Sequence, residues 1–135
     1  MALLSWSHAS TIGVKAMDDQ HGILMDTIND LRLTLMNGNS KERINAQLEQ
    51  LIDFTRLHFQ SEERLLEQQA FPGLFTHRAA HVTLLVQVRE AIAHAGRYVD
   101  GESVSLLSQL RSLYLEHFEE FDRTYAAWLN DRGVY

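Results

Sequence analysis

The chain contains no cysteine, which excludes disulfides, iron–sulfur clusters and thiolate zinc sites. It has one proline, Pro72, and seven glycines that fall near the expected breaks. No turn-bounded run of β-branched residues reads as a sheet. No stretch approaches the roughly 18–20 apolar residues needed to span a bilayer. Basic charge is scarce as well: 12 lysines and arginines face 18 acidic residues, for a net charge of −6. That balance excludes the basic footprint of a nucleic-acid-binding protein. The start, MALLSWSHAS, lacks a basic leader and a long apolar run. It does not read as a signal peptide, and the cytoplasm is the expected location.

What remains is helical patterning. The 135 residues fit one domain, and 45% of them are hydrophobic. Four apolar stripes of helical period stand out. The first spans about Asp18 to Met36 and carries His21, Leu24, Met25, Ile28, Leu31 and Leu35, with Asp18 or Asp19 as its cap. The second spans about Ser40 to Gln69, with Asn39 and Glu42 at capping-box spacing. Its stripe holds Leu48, Leu51, Thr55, His58, Glu62 and Leu66. The third spans about Leu74 to Tyr98, and Asp100-Gly101 ends it. The fourth spans about Ser103 to Asn130. Short connections favour antiparallel neighbours, so the expected fold is all-α, an up-down-up-down antiparallel four-helix bundle. Residues 1–17 are expected to form an N-terminal arm packed on the bundle through Trp6, Ile12 and Val14, and residues 18–135 the bundle itself.

The chemistry lies on those stripes. His21, His58-x-x-x-Glu62, His77-x-x-x-His81 and His117-x-x-x-x-Asp122 occur in that order. Residues four apart share a helix face, so each of the two inner pairs presents both members to the core. Imidazoles and carboxylates together ligate first-row metals such as iron, zinc and copper. A lone histidine on an apolar face is more often a hydrogen-bonded core residue, but five on four stripes are harder to read that way. Burying Glu62 and Asp122 unpaired costs several kcal/mol each, and a dinuclear metal centre removes that cost. In an antiparallel bundle, starts of odd helices meet ends of even ones, so all four segments converge at one end. The spacing from His117 to Asp122 leaves their side chains about 140° apart on a regular helix. Asp122 therefore either reaches round the flank or lies beyond a π-type widening.

In sum these motifs resemble the hemerythrin family. The matching pieces are Ile12-Gly13-Val14 before Asp18-Asp19-Gln20-His21, then His58-Phe59-Gln60-Ser61-Glu62-Glu63, then Phe71-Pro72 ahead of His77 and His81, and finally His117-Phe118 with Asp122. The resemblance covers almost the whole chain. It implies a non-haem di-iron site that binds dioxygen reversibly. It assigns His77, His81 and His117 to one iron, and His21 and His58 to the other, which keeps a vacant position for dioxygen. Glu62 and Asp122 would bridge the two Fe ions together with an oxo or hydroxo group. No residue is expected to be catalytic, and neither nucleic acid nor membrane is an expected partner.

Around that site Leu24, Phe59, Leu113, Tyr114 and Phe118 are the expected pocket lining. A Trp-Leu pair is common in the family where this chain has Leu113-Tyr114, and an isoleucine where it has Phe118. The Tyr114 hydroxyl either bonds the bound ligand or points to the bundle end. Tyr125 either steadies a ligand from behind or simply packs. His8, His94 and the run Glu116, Glu119, Glu120 read as surface. Two alternatives to an oxygen carrier stay open: an oxygen or redox sensor domain, and a di-iron enzyme acting on peroxide or nitric oxide. Bundle-type di-iron oxygenases use Glu-x-x-His pairs, and none occurs among these candidates.

Overall fold

The computed structural model describes residues 11–38, 40–95 and 100–135, with the backbone alone for 100–104. Trp6 and His8 of the arm, the Asn39 cap and the expected helix end at Tyr98 lie outside the described residues. Helix α1 spans Lys15–Met36, α2 Lys41–Gln68 and α3 Leu74–His94. The fourth rod is composite: α4 (Asp100–His117), a π-helical turn (Phe118–Asp122) and α5 (Arg123–Asn130). Rods one and two, two and three, three and four, and four and one are in contact, which closes the four-helix bundle. No strand occurs, and no helix is long and apolar enough to cross a membrane, among the described residues.

Helix ends differ from the sequence reading in instructive ways. Helix α1 starts at Lys15 with Val14 as N-cap and no side-chain cap. Asp18 does not cap it as expected. Its carboxylate accepts from the backbone N–H of Ile12 (2.8 Å) and Gly13 (3.2 Å), in the segment before the helix. The reach back from the first turn resembles half of a capping box, and it ties down the backbone at Ile12 and Gly13. At α2 the cap is Ser40, whose hydroxyl accepts from Arg43 N–H at 3.3 Å. The Asp100-Gly101 pair opens α4 rather than ending α3.

The end of α2 aims the chain into α3. Phe71 N–H bonds Leu66 O and Ala70 N–H bonds Glu67 O, the double closure of a Schellman motif. Ala70 takes the left-handed position at φ 56°. The motif sets Phe71 edge-on to Tyr125 and Trp128.

Two apolar clusters fill the bundle. The larger includes Leu24, Ile28, Leu51, Phe59, Leu84, Val88, Leu110, Tyr114 and Phe118. The smaller comprises Ile12, Val14, Met17, Leu66, Tyr125, Ala126 and Leu129. Rods one, two and four pass from one cluster to the other through a buried polar stretch: His21 follows Met17, Glu62 precedes Leu66, and Asp122 precedes Tyr125. Fully burying one such apolar side chain stabilises by about 1.5–3 kcal/mol. The smaller cluster therefore does more than hold the arm, since it seals the end of the bundle over the polar layer.

Candidate metal centre

Each rod delivers its polar side chains by simple periodicity. His21 continues the stripe of Met17, Leu24 and Ile28, all buried. His58 and Glu62 stand one turn apart on α2, and His77 and His81 one turn apart on α3. The fourth rod needs a distortion. The π turn includes an Arg123 N–H to Phe118 O bond, five residues back rather than four. The wider turn brings Asp122 round to the face that carries His117, and the bulge alternative of the sequence reading is the one the backbone adopts.

All seven side chains meet. They form two groups: Glu62, His77, His81, His117 and Asp122 on one side, and His21, His58, Glu62 and Asp122 on the other. Both carboxylates belong to both groups, with their oxygens divided. Glu62 Oε1 lies 2.5 Å from His77 Nε2 and 2.8 Å from His81 Nε2, while Oε2 lies 3.2 Å from His58 Nε2. Asp122 Oδ1 lies 3.2 Å from His77 Nε2 and 3.3 Å from His117 Nε2, while Oδ2 lies 3.1 Å from His21 Nε2. Glu62, Asp122 and His21 are fully buried.

Rings and partners fix these orientations. Phe118 stacks on His21 with centroids 3.9 Å apart, and Phe59 stacks on His81 at 3.7 Å. His58 Nδ1–H donates to Gln20 Oε1 at 2.7 Å, and Gln20 Nε2 donates to Ser61 Oγ at 3.0 Å. His81 Nδ1–H donates to Glu63 Oε2 at 2.7 Å. Tyr125 O–H donates to Glu62 Oε2 at 2.8 Å. With Nδ1 occupied as a donor, a neutral His58 or His81 turns the lone pair of Nε2 toward the centre.

That inward set fits cations. His58 Nε2 faces His21 Nε2 at 3.0 Å, a contact that needs a proton or a metal ion between the two nitrogens. His117 Nε2 and both Asp122 oxygens are buried and make no well-formed hydrogen bond despite their closeness. Two shared carboxylates and five imidazoles suit a pair of first-row metal ions.

Without metal, protons take part of the cations' role. Burial opposes charge on His21 and His77, yet Asp122 and Glu62 outweigh it and raise both imidazoles to about 9. Burial lowers His58. Burial alone would raise Glu62, but bonds from His21, His58, His77 and His81 hold it well below the usual carboxylate range. Asp122 is also held low, because His117, His21 and His77 outweigh burial and the charge of Glu62. Burial pushes Tyr125 upward, and the nearby carboxylates push it further, so its hydroxyl stays protonated.

The remaining candidates divide. Leu24, Phe59, Tyr114 and Phe118 are buried in the cluster beside the polar layer. Leu113 is half-buried against the same cluster and also lines a groove between α3 and the fourth rod with Ala80, Thr83 and Glu116, on the side of His117. Tyr114 O–H donates to Thr55 Oγ1 at 2.6 Å, because the Thr55 hydroxyl hydrogen is committed to Leu51 O at 2.7 Å. The Tyr114 hydroxyl therefore points into α2. His94 is exposed. The sequence reading gave no role to Gln20, Glu63 or Thr55. Gln20 and Glu63 each adjoin a ligand candidate in sequence but bond a histidine on the neighbouring rod, so single-helix periodicity could not show the pairing.

Comparisons agree with this geometry. A family model described as the hemerythrin HHE cation binding domain matches residues 12–129. A bacteriohemerythrin of Methylococcus capsulatus is 30% identical over 96% of this chain and 99% of its own length. One from Stenotrophomonas maltophilia is 27% identical over 93% of this chain and 81% of its own length. The crystal structure of a wild-type hemerythrin superposes with a TM-score of 0.77 at 27% identity, covering 93% of this chain and 97% of that one. With a buried histidine–carboxylate layer inside a four-helix bundle and a family match over nearly its whole length, the chain belongs to the hemerythrin HHE cation-binding domain family.

Proposed function

We propose that this protein binds dioxygen reversibly at a non-haem di-iron centre, for oxygen storage, delivery or scavenging. In this reading His77, His81 and His117 would hold one iron and His21 and His58 the other. Glu62 and Asp122, which belong to both groups, would serve both ions. The observation that carries the reading is the asymmetry of the two groups: they share both carboxylates, but the His21 side has one protein donor fewer. That side has room for an exogenous ligand. Two ferrous ions supply the two electrons that reversible dioxygen capture requires.

The chain's own residues supply the setting. Leu24, Phe59, Phe118 and the ring of Tyr114 keep water from the layer, and Leu113 covers the opposite flank near His117. Tyr125 anchors Glu62 from behind. An apolar pocket of about 280 Å³, lined by Ile23, Leu24, Phe54 and Leu57, lies against His58 on the open side. It suits the approach of a small apolar gas. A carrier is favoured over an enzyme for a stated reason. The Tyr114 and Tyr125 protons are committed to Thr55 and Glu62, so neither tyrosine is free to deliver a proton to a bound ligand.

The test is iron quantification with visible spectra under oxygen and after deoxygenation. Two irons per chain and a band that comes and goes with oxygen are expected. One zinc, or no metal, overturns the reading. A second result separates lining from ligand contact at Tyr114. Tyr114→Phe should leave the oxygen off-rate unchanged and cost about 1 kcal/mol of stability, because Thr55 loses its donor. Stopped-flow deoxygenation and urea denaturation measure the two quantities, and a faster off-rate contradicts the assignment.

A further inference from the structure

Two histidines, one from each group, are braced from behind at the same distance by chemically different partners. His81 Nδ1 meets the carboxylate of Glu63 at 2.7 Å, and His58 Nδ1 meets the amide oxygen of Gln20 at 2.7 Å. The braces reach across rods: Glu63 on α2 holds a histidine of α3, and Gln20 on α1 holds one of α2. Glu63 is itself fixed by Arg78, whose Nε donates to Oε1 at 3.2 Å. A second nitrogen of Arg78 reaches Glu67 at 3.4 Å. Behind Gln20 stands the neutral Ser61 hydroxyl, which accepts from its Nε2 at 3.0 Å.

The difference bears on metal affinity. Hydrogen bonds to an ionised acceptor are roughly twice as strong as neutral ones. An imidazole that donates to a carboxylate is also a stronger ligand through its other nitrogen, and it is held more firmly in one tautomer. The anionic brace falls on the side that already has the larger donor set. Both effects therefore favour the same position.

We infer that the two positions load in order, the His77–His81–His117 position first, and that Glu63 is the positioning residue that sets this order. The inference rests on the dinuclear reading above and adds to it a sequence of assembly. The His21–His58 position completes second, on a scaffold whose shared carboxylates are already fixed by the first ion. The geometry of Glu62 and Asp122 agrees, since each places one oxygen on either side.

The test uses the metal-free full chain titrated anaerobically with Co²⁺ against a chromophoric chelator, so no oxygen chemistry enters. Wild-type protein should take two equivalents in two resolved steps. Proton NMR of the Co²⁺ form should show shifted ring N–H signals from three histidines after the first equivalent, and those of the other two after the second. Glu63→Gln keeps the shape of the brace and removes its charge. It should weaken the first step by about 10–100-fold and leave the second nearly unchanged. Gln20→Glu, which places charge behind His58, should tighten the second step. A purely structural role for Glu63 would lower both steps together, and that outcome overturns the inference. So does an unaltered first step in Glu63→Gln, or the two-histidine signals appearing first. A wild-type chain that takes one equivalent only overturns the dinuclear reading itself, a result distinct from the other three.

Discussion

Glu62→Gln is expected to strip both metal ions from the protein while the bundle stays folded. The side chain is fully buried and nearly isosteric with its replacement, so its packing is retained, and Tyr125 keeps its acceptor when the amide oxygen takes the place of Oε2. What changes is the inner face. Glu62 offers one oxygen to His77 and His81 and the other to His58. An amide keeps one oxygen and turns an NH₂ toward the remaining position. Whichever way it lies, one group loses an anionic donor and gains N–H hydrogens aimed at a cation. Losing an outer brace typically costs 10–100-fold in metal affinity. Loss of a bridging ligand should exceed about 100-fold on that scale and affect both ions. Metal analysis together with far-UV circular dichroism checks this. Two irons per chain retained in the variant would contradict the bridging role.

Chelating the metal from wild-type protein is the second large effect. Ions that bind the native state alone contribute about 4 kcal/mol when present at a thousandfold over Kd. At roughly 4 °C per kcal/mol for a chain of this size, the melting temperature should fall by about 15 °C for each ion lost, and by about 30 °C when both are removed. The size of the loss depends on pH, and its sign follows from the histidines. In the metal-free fold His21 and His77 are raised from the ordinary 6.5 to about 9. A raised imidazole contributes stability fully below 6.5, and that contribution disappears as the pH passes through 9. Metal binding runs the other way, since each ligating Nε2 must first shed its proton. The stability gap between loaded and metal-free protein should therefore widen between pH 6.5 and 9. Thermal melts of both forms at the two ends of that window measure it. A gap that stays constant or narrows would show that these protons do not substitute for the metal.

Much of this was legible before any coordinates. The stripes of Leu24, Ile28 and His21 or of Leu51, Thr55 and His58 recur at helical period because one face of each rod must be buried. The convergence of the ligand set followed from antiparallel order alone. Even the π turn was foreshadowed, since a step of five residues from His117 to Asp122 does not fit one face of a regular helix. Other features were hidden. Asp18 looked like a helix cap and instead ties down the backbone at Ile12 and Gly13, because the choice between those roles depends on where those two residues run. The groove that Leu113 shares with Ala80 and Thr83 beside His117 was not legible, because it depends on how α3 and the fourth rod pack.

The sequence by itself determined the four amphipathic rods, their order and the seven side chains that meet at one level. Those depend on periodicity within a single helix and on chain direction. Tertiary structure alone decided which neighbour each of those side chains meets. That Glu63 braces His81, Gln20 braces His58 and Thr55 receives the Tyr114 proton depends on the rotation and depth at which two rods pack. Rotation and depth follow from the fit of every core side chain at once, which no local stretch of the chain encodes.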